Sequence, residues 1–489
     1  MTDKKATSNL LIKGGYILGA ADSGLDVLVR DGKIAAIGDN ISENVSTADT
    51  TVIDASELIV APGLVDMHVH FRDPGFEYKE DILTGAAAAA AGGVTTCCCM
   101  PNTSPVADNA EILSYIVGKA KGAMSTLLPY GAVTVGQKGI ELTDFAALKA
   151  AGAVALSDDG NPIQSEDVAR RAMIAAREHD LLIISHCEDA LLVKNYAVNE
   201  GEISQRLGIP GRPATAEEMM VARDVRLAAE TGSRVHIAHV STAGSVEIIR
   251  RAKAEGVAVT AETCPQYFIL TQDEVLRQGS LARINPPLRL KGDVEAVIKG
   301  LIDGTIDAIA TDHAPHSEEE KAQTLTDAPS GMIGLETSLA LSLTYLYHTG
   351  YIGLTKLFEL LSANPARILC LNNSHLGNVG KAGTSLSNSS FIDSNLSNTE
   401  LNSNEPCRGA SGATGRLCSG ASGTSCSLRV GSVADIVIFD PAEEWIIDPA
   451  QFKSKARNTP FAGMNVRGRV KYTISRGRVV YNDFGLLIE

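Results

Sequence analysis

The 489-residue sequence holds no run of about 18 or more apolar residues, so no transmembrane helix is expected. Its opening stretch, MTDKKATSNL, lacks the apolar core of a signal peptide. Positive charge is also short: 43 Lys and Arg face 58 Asp and Glu, a formal net charge of −15. A surface of that sign repels nucleic acid and anionic membranes, and neither is an expected partner. A local Arg in a cleft can override this field, so an anionic small molecule stays open as a substrate. No disulfide framework is expected, because the nine Cys are odd in number and include the run Cys97 to Cys99. That usage fits a reducing cytoplasm.

What is present is ordinary for a globular protein: 44% hydrophobic and 21% charged residues, in a chain long enough for a barrel plus an accessory domain. Residues 8–60 alternate apolar and polar positions between Gly and Asp-Gly turns, as short strands do. The texture returns in SVADIVIFDP and VKYTISRGRVVYND, which predicts one small β-sandwich domain built from both chain ends. Between them lie eight short apolar runs: LVDMHVH, VTTCCCM, LLPYGAV, AVALSDD, LLIISHC, VHIAHVS, VAVTAET and AIATDHA. Amphipathic stretches such as SEDVARRAMIAAREHD separate them. The pattern predicts an α/β fold with a (β/α)8 TIM-type barrel, a doubly wound open sheet being the alternative. The expected boundaries are 1–61 for the first part of the β domain, 62–370 for the barrel and 371–489 for the rest of the β domain. Residues 380–427, rich in Ser, Asn, Gly and Thr, read as a flexible insertion. Cys407, Cys418 and Cys426 lie there at long spacings with no His among them, which does not suggest a metal site.

The polar residues at the ends of the apolar runs carry the chemistry. His68 and His70 are two apart, so a strand presents both on one side, within reach of one metal ion. His186, His239 and Asp312 end three further runs, and Asp158 and Asp159 follow a fourth. The C-terminal ends of barrel strands are where barrel active sites assemble, and imidazole and carboxylate are donors that suit zinc. His236, three residues before His239, is expected to face the other way, packed under a helix. His179, His348 and His375 read as surface or satisfied side chains. Such a site suits amide hydrolysis, with Asp312 as the carboxylate that moves a proton between water and the leaving nitrogen. The charged stretch HSEEEKAQTLTDAPSG after the last run reads either as a gating loop or as a solvated one.

Together DMHVHFRDPG, MPNT, SDDG, SHCED, HIAHVST, ETCPQY, NPPLR, TDHAPH and GLET resemble the amidohydrolase superfamily, and within it the class I dihydroorotases. The resemblance covers nearly the whole chain outside the Ser/Asn-rich stretch. It implies one or two zinc ions per subunit, with His68 and His70 on one, His186 and His239 on the other, Asp159 bridging, and Asp312 as metal-bound general base and acid. Spacing alone leaves Asp158 and Asp159 undecided. It further implies that Arg72 and Asn102 hold a substrate carboxylate, with Asn285, His316, Ser330 and Gly331 as further substrate contacts. Ser330 stands where many relatives carry an aromatic residue. ETCPQY is scaffold in the family, so Glu262 and Cys264 are not expected in the site. The implied activity is zinc-dependent, reversible cyclisation of N-carbamoyl-L-aspartate to L-dihydroorotate in pyrimidine biosynthesis. Many relatives bridge their metals with a carboxylated Lys, and SDDG offers none, which argues against a hydantoinase. A different cyclic amidohydrolase and a non-catalytic scaffold are the rival readings; the full donor set argues against the latter. The family also implies homo-oligomers, and association with aspartate transcarbamoylase is compatible with the sequence.

Overall fold

The two ends of the chain meet in one sheet. The computed structural model describes residues 9–20, 24–46, 50–194, 196–371 and 428–484. The N-terminal strands are β1 (Asn9–Ile17), β2 (Leu25–Arg30), β3 (Lys33–Gly38), β4 (Thr50–Asp54) and β5 (Ile59–Pro62). β1 pairs with β2 and β4 along its first half and with β5 at Tyr16 and Ile17, the register shifting between Ile12 and Gly15. A Cβ on Gly15 would stand 2.4 Å from Val60 Cγ2, so the absent side chain lets β5 close in. The C-terminal strands are named after the barrel below. They continue this sheet around a shared core of Leu10, Ile12, Val27, Ile34, Val60, Ile436 and Ile474.

The chain then passes from β5 into the barrel across Gly63. Its strands are β6 (Leu64–Val69), β7 (Val94–Cys99), β8 (Thr126–Pro129), β9 (Leu156–Ser157) and β10 (Ile183–Ser185). A small parallel pair follows, β11 (Val198–Asn199) with β12 (Gly211–Arg212), and the barrel resumes with β13 (Val235–Ile237), β14 (Val259–Thr263) and β15 (Ala308–Ile309). All barrel pairings are parallel: β6–β7–β8 form one arc and β9–β10–β13–β14–β15 the other. Parallel bridges Gly131–Leu156 and Val69–His313 join the arcs, so the sheet closes. The architecture is a (β/α)8 barrel with a β-sandwich domain made by both termini. Strands β16 (Ile436–Ile446), β17 (Asn465–Ser475) and β18 (Arg478–Asn482) complete that domain, β16 lying antiparallel to β5. The expected insertion at 380–427, with its three Cys, and His375 lie outside the described residues.

Local sequence explains the helices. In Glu166–Glu178, Ser165 caps the first turn by accepting from Val168 N, and Val168, Ala169, Ala172, Met173 and Ala176 form the buried stripe. In Ile82–Ala91 the Ala run lets the helix ride close to the strands, with Asp81 accepting from Leu83 N and Thr84 N. On β7 the Cys run follows strand alternation: Cys98 joins the inner cluster with Met67 and Tyr130, whereas Cys97 and Cys99 face the helix layer. All three are free thiols.

Candidate metal centre and active site

β6 carries His68, and His70, one residue past its end, falls on the same side as the strand period of two predicts. His68 Nε2 lies 3.5 Å from Asp159 Oδ1 and 3.6 Å from Asp312 Oδ1. His70 Nε2 lies 3.1 Å from Asp312 Oδ1 and 3.5 Å from Asp159 Oδ2. Asp159 also meets His186 Nδ1 at 3.2 Å and His239 Nε2 at 3.5 Å. Two groups of donors thus form, His68–His70–Asp159 and Asp159–His186–His239, and they share Asp159. Every member is buried. Arg72, His239 and Asp312 take positive φ values of 61, 35 and 51, left-handed conformations that cost energy in non-glycine residues. Such strain concentrates where side chains are aimed at a site.

The donor chemistry fits a metal ion. His68 Nε2 is buried without a hydrogen-bond partner. His186 Nδ1 and His239 Nε2 face each other at 2.8 Å, an arrangement of ring nitrogens that a shared cation would reconcile. The opposite nitrogens are anchored. His68 Nδ1 meets Glu262 Oε1 at 2.6 Å, His70 Nδ1 meets Asn102 Oδ1 at 2.9 Å, and His186 Nε2 meets Glu188 Oε2 at 3.2 Å. Burial alone would raise the Asp159 carboxyl, but the charge of His68 and hydrogen bonds from His186 and His239 hold it well below the usual range. Burial disfavours charge on His186, yet Asp159 and Glu188 lift it to about 10.

The neighbouring Asp158 turns away. Its carboxylate accepts from Val133 N at 2.8 Å, Thr134 N at 3.1 Å and Thr134 Oγ1 at 2.5 Å. Of the two aspartates that spacing left undecided, only Asp159 faces the histidines.

The expected substrate contacts ring this centre. Arg72 is half-buried, burial lowers its pKa, and its Nε donates to Pro315 O at 3.2 Å. Asn102 gives its carbonyl to His70, and its Nδ2 points toward Gly160, where a Cβ would sit 3.6 Å away. Asn285 Nδ2 donates to Glu188 Oε2 at 2.9 Å and lies 3.3 Å from His186 Nε2, while Arg212 donates to its carbonyl. Beside Asn285, Glu188 and Arg212 opens a cleft of about 530 Å³, with Gln137, Lys138 and Lys194 among its other lining residues. His316 donates from Nε2 to Ser330 O at 2.9 Å. Burial, with Arg72 and Lys79 nearby, pushes its pKa down to about 2, so the ring is neutral. Ser330 Oγ accepts from Arg283 Nε at 3.4 Å. Gly331 has both backbone groups engaged: its N–H goes to Arg283 O at 3.0 Å, and its carbonyl accepts from Lys321 Nζ at 3.0 Å and Asn458 Nδ2 at 3.1 Å.

Two expectations need revision. His236 is not under a helix: it faces into the barrel beneath the site, with Nε2 3.4 Å from Glu262 and Nδ1 2.8 Å from Thr260 Oγ1. Strand β13 ends at Ile237, and the left-handed turn at His239 brings both side chains inward. Glu262, set aside as scaffold, is the direct support of His68. The only sequence sign of it was an acid near the end of an otherwise apolar and small-residue strand. The 316–331 loop, read as gating or as solvated, exposes much of its chain and is pinned at Lys321. It holds a short helix, Glu318–Lys321, whose buried Lys321 donates to the carbonyls of Arg283, Pro329 and Gly331. His348 donates to Pro441 O at 2.7 Å, and His179 caps the end of its helix, away from the centre.

A family model described as Dihydro-orotase-like matches residues 57–245. A dihydroorotase of Citrifermentans bemidjiense is 46% identical over 477 residues, covering 97% of this chain and 99% of that protein. A dihydroorotase of Acetivibrio thermocellus is 43% identical over 484 residues, covering 98% and 100%. Among solved structures, the L-hydantoinase (dihydropyrimidinase) of Arthrobacter aurescens superposes with a TM-score of 0.77 at 25% identity, over 98% of this chain and 97% of that one. Among the described residues no helix is long and apolar enough to cross a membrane.

Proposed function

The chain belongs to the dihydroorotase family, and from that premise we infer that it catalyses the reversible cyclisation of N-carbamoyl-L-aspartate to L-dihydroorotate plus water, in de novo pyrimidine biosynthesis toward UMP. It is a cyclic amide hydrolase. The observation that carries the reading is the 46% identity running through 97% of the chain, against 25% for the hydantoinase.

We assign His68 and His70 to one metal ion, His186 and His239 to a second, and Asp159 to both, with zinc the ion that suits this His and carboxylate set. One or two ions per subunit satisfy the assignment. A divalent metal held here supplies Lewis acidity to water and to an amide carbonyl. In ring opening, Asp312 takes the proton from the attacking water and gives it to the departing ring nitrogen; in ring closure the same carboxylate runs the transfer backwards. Its place 3.1 Å from His70 and 3.6 Å from His68 supports this role.

Arg72 and Asn102 take the substrate carboxylate, and His316 is a further substrate contact. Asn102 has already given its carbonyl to His70, so its amide nitrogen is the donor left for substrate. Asn285 and the Ser330–Gly331 backbone border the ring, and the engaged groups of Gly331 mean that this loop shapes the pocket more than it donates to it. We further assign 1–61 and 371–489 to the β domain and 62–370 to the barrel, a homo-oligomeric state, a cytoplasmic location in keeping with free Cys97, Cys98, Cys99, Cys187 and Cys264, and aspartate transcarbamoylase as a partner to test.

The deciding experiment is turnover of L-dihydroorotate by zinc-loaded protein beside an Asp312→Asn variant, with hydantoin as control substrate. The expected result is turnover of dihydroorotate only, lost by about 10²–10⁴-fold in the variant. Opening of hydantoin alone would overturn the substrate assignment. No turnover of either by loaded protein would favour the scaffold reading.

A further inference from the structure

One side chain of the C-terminal β domain reaches into the loops around the active-site mouth. Asn458 is buried, 3% exposed, in the segment before β17. Its Oδ1 accepts from the backbone N–H of His316 at 3.1 Å. Its Nδ2 donates to the carbonyls of Ala314 and Gly331, each at 3.1 Å. Its own backbone carbonyl accepts from Ile333 N at 2.9 Å. One asparagine thus clamps the loop that carries His316 to the loop that carries Ser330 and Gly331. A buried amide with every polar group engaged fixes geometry more firmly than apolar packing does, since any slip leaves a donor or acceptor unpaired.

The same segment braces the loop after β6. Ser454 Oγ donates to the Glu80 carboxylate, and Lys455 Nζ pairs with Asp81 at 2.6 Å and donates to Glu77 O at 2.7 Å. Residues 454–458 therefore tie the Arg72 side of the mouth to the His316 side.

We propose that Asn458 is a positioning residue for substrate recognition, setting His316 and the 330–331 loop at the spacing that the substrate requires. The proposal rests on the reading that His316 and this loop meet substrate. Asn458 touches no reacting atom, so its loss acts on substrate binding and not on proton transfer.

The test compares Asn458→Ser and Asn458→Leu with wild type in steady-state turnover of L-dihydroorotate, with metal content and melting temperature recorded for each. Both variants are neutral and neither can span the three side-chain partners. The expected result is a KM raised about tenfold with kcat changed less than about threefold and metal content kept. A merely structural brace would lower the melting temperature and the yield of active protein while leaving KM alone. A KM within about twofold of wild type in a folded, metal-replete variant overturns the proposal, as does failure of both variants to fold. His316→Ala runs alongside: if its KM is unchanged the underlying substrate reading has failed, whereas a raised KM there with normal KM in the Asn458 variants removes only the role of Asn458.

Discussion

Oε1 of Glu262 stands 2.6 Å from Nδ1 of His68, and Oε2 of the same carboxylate lies 3.4 Å from Nε2 of His236. The pair is buried within the barrel. Burial works against charge on Glu262, but His68 and His236 draw its pKa down to about 2, so it stays an anion. An anion at Nδ1 accepts the hydrogen bond of the N–H there and so favours the tautomer whose Nε2 lone pair faces Asp159 and Asp312. This is the carboxylate–histidine arrangement that orients metal ligands and raises their basicity. Glu262→Gln keeps the shape and removes the charge. The expected outcome is a loss of metal affinity of about 10–100-fold, read by competition of apoprotein against a chromophoric chelator. Wild-type affinity in that titration would show that His68 needs no such support.

The contrast between His68 and Glu262 shows what a sequence can carry. His-x-His is legible because a strand repeats every two residues and VDMHVHF reads as a strand end. The hydrogen bond to Glu262 joins residues 194 positions apart, and no periodicity records it. The Asp158–Asp159 pair lies between these cases: β9 stops at Ser157, so the alternation that would assign faces ends one residue early. At His236 the period was applied past the point where it holds, because β13 is only 3 residues long and His239 is left-handed. The barrel itself was legible since eight apolar runs survive as eight strands, each too buried to tolerate interruption. The bracing by Asn458 was not, as nothing in SKARNTPF marks a contact with a loop more than a hundred residues earlier.

The two aspartates separate under substitution. Asp159→Asn removes the carboxylate common to both donor groups, and metal content after dialysis is expected to fall at both positions. Asp158→Asn is expected to keep the metal and lose stability instead. Its carboxylate accepts three hydrogen bonds from Val133 and Thr134, and an amide placed there turns a donor toward donors. The cost should be about 1–3 kcal/mol in chemical denaturation of the metal-loaded protein. Metal loss in the Asp158 variant with retention in the Asp159 variant would reverse the assignment.

Arg72 offers a half-buried guanidinium, with Nε satisfied by Pro315 O at 3.2 Å. Its terminal nitrogens form the fork that matches a carboxylate. Arg72→Met is expected to raise KM for dihydroorotate by about 10–100-fold with a smaller change in kcat, since charge-assisted hydrogen bonds are worth about 1.5–3 kcal/mol. Arg72→Lys should recover little, because a single ammonium does not reproduce the fork. Full recovery by Lys would mean that charge alone matters at this position.

Asp435 provides a stability test remote from the metal donors. It precedes β16; Oδ1 accepts from Arg476 N at 2.7 Å, while Oδ2 is buried without a hydrogen-bond partner. Burial raises its pKa from 3.8 to about 6, against the lowering pull of the Arg476 hydrogen bond and charge. The folded protein therefore binds more protons here than the unfolded chain between pH 3.8 and about 6. Its contribution is fully favourable below the unfolded pKa, falls as pH rises through that window, and stays low above it. Asp435→Asn keeps an acceptor for Arg476 N and carries no charge. The variant should be more stable than wild type above about pH 6, by at most about 3 kcal/mol, with the difference shrinking toward pH 4. Chemical denaturation of both proteins across that range reads the difference directly. A gap that does not change with pH would mean that Asp435 is not the group that titrates.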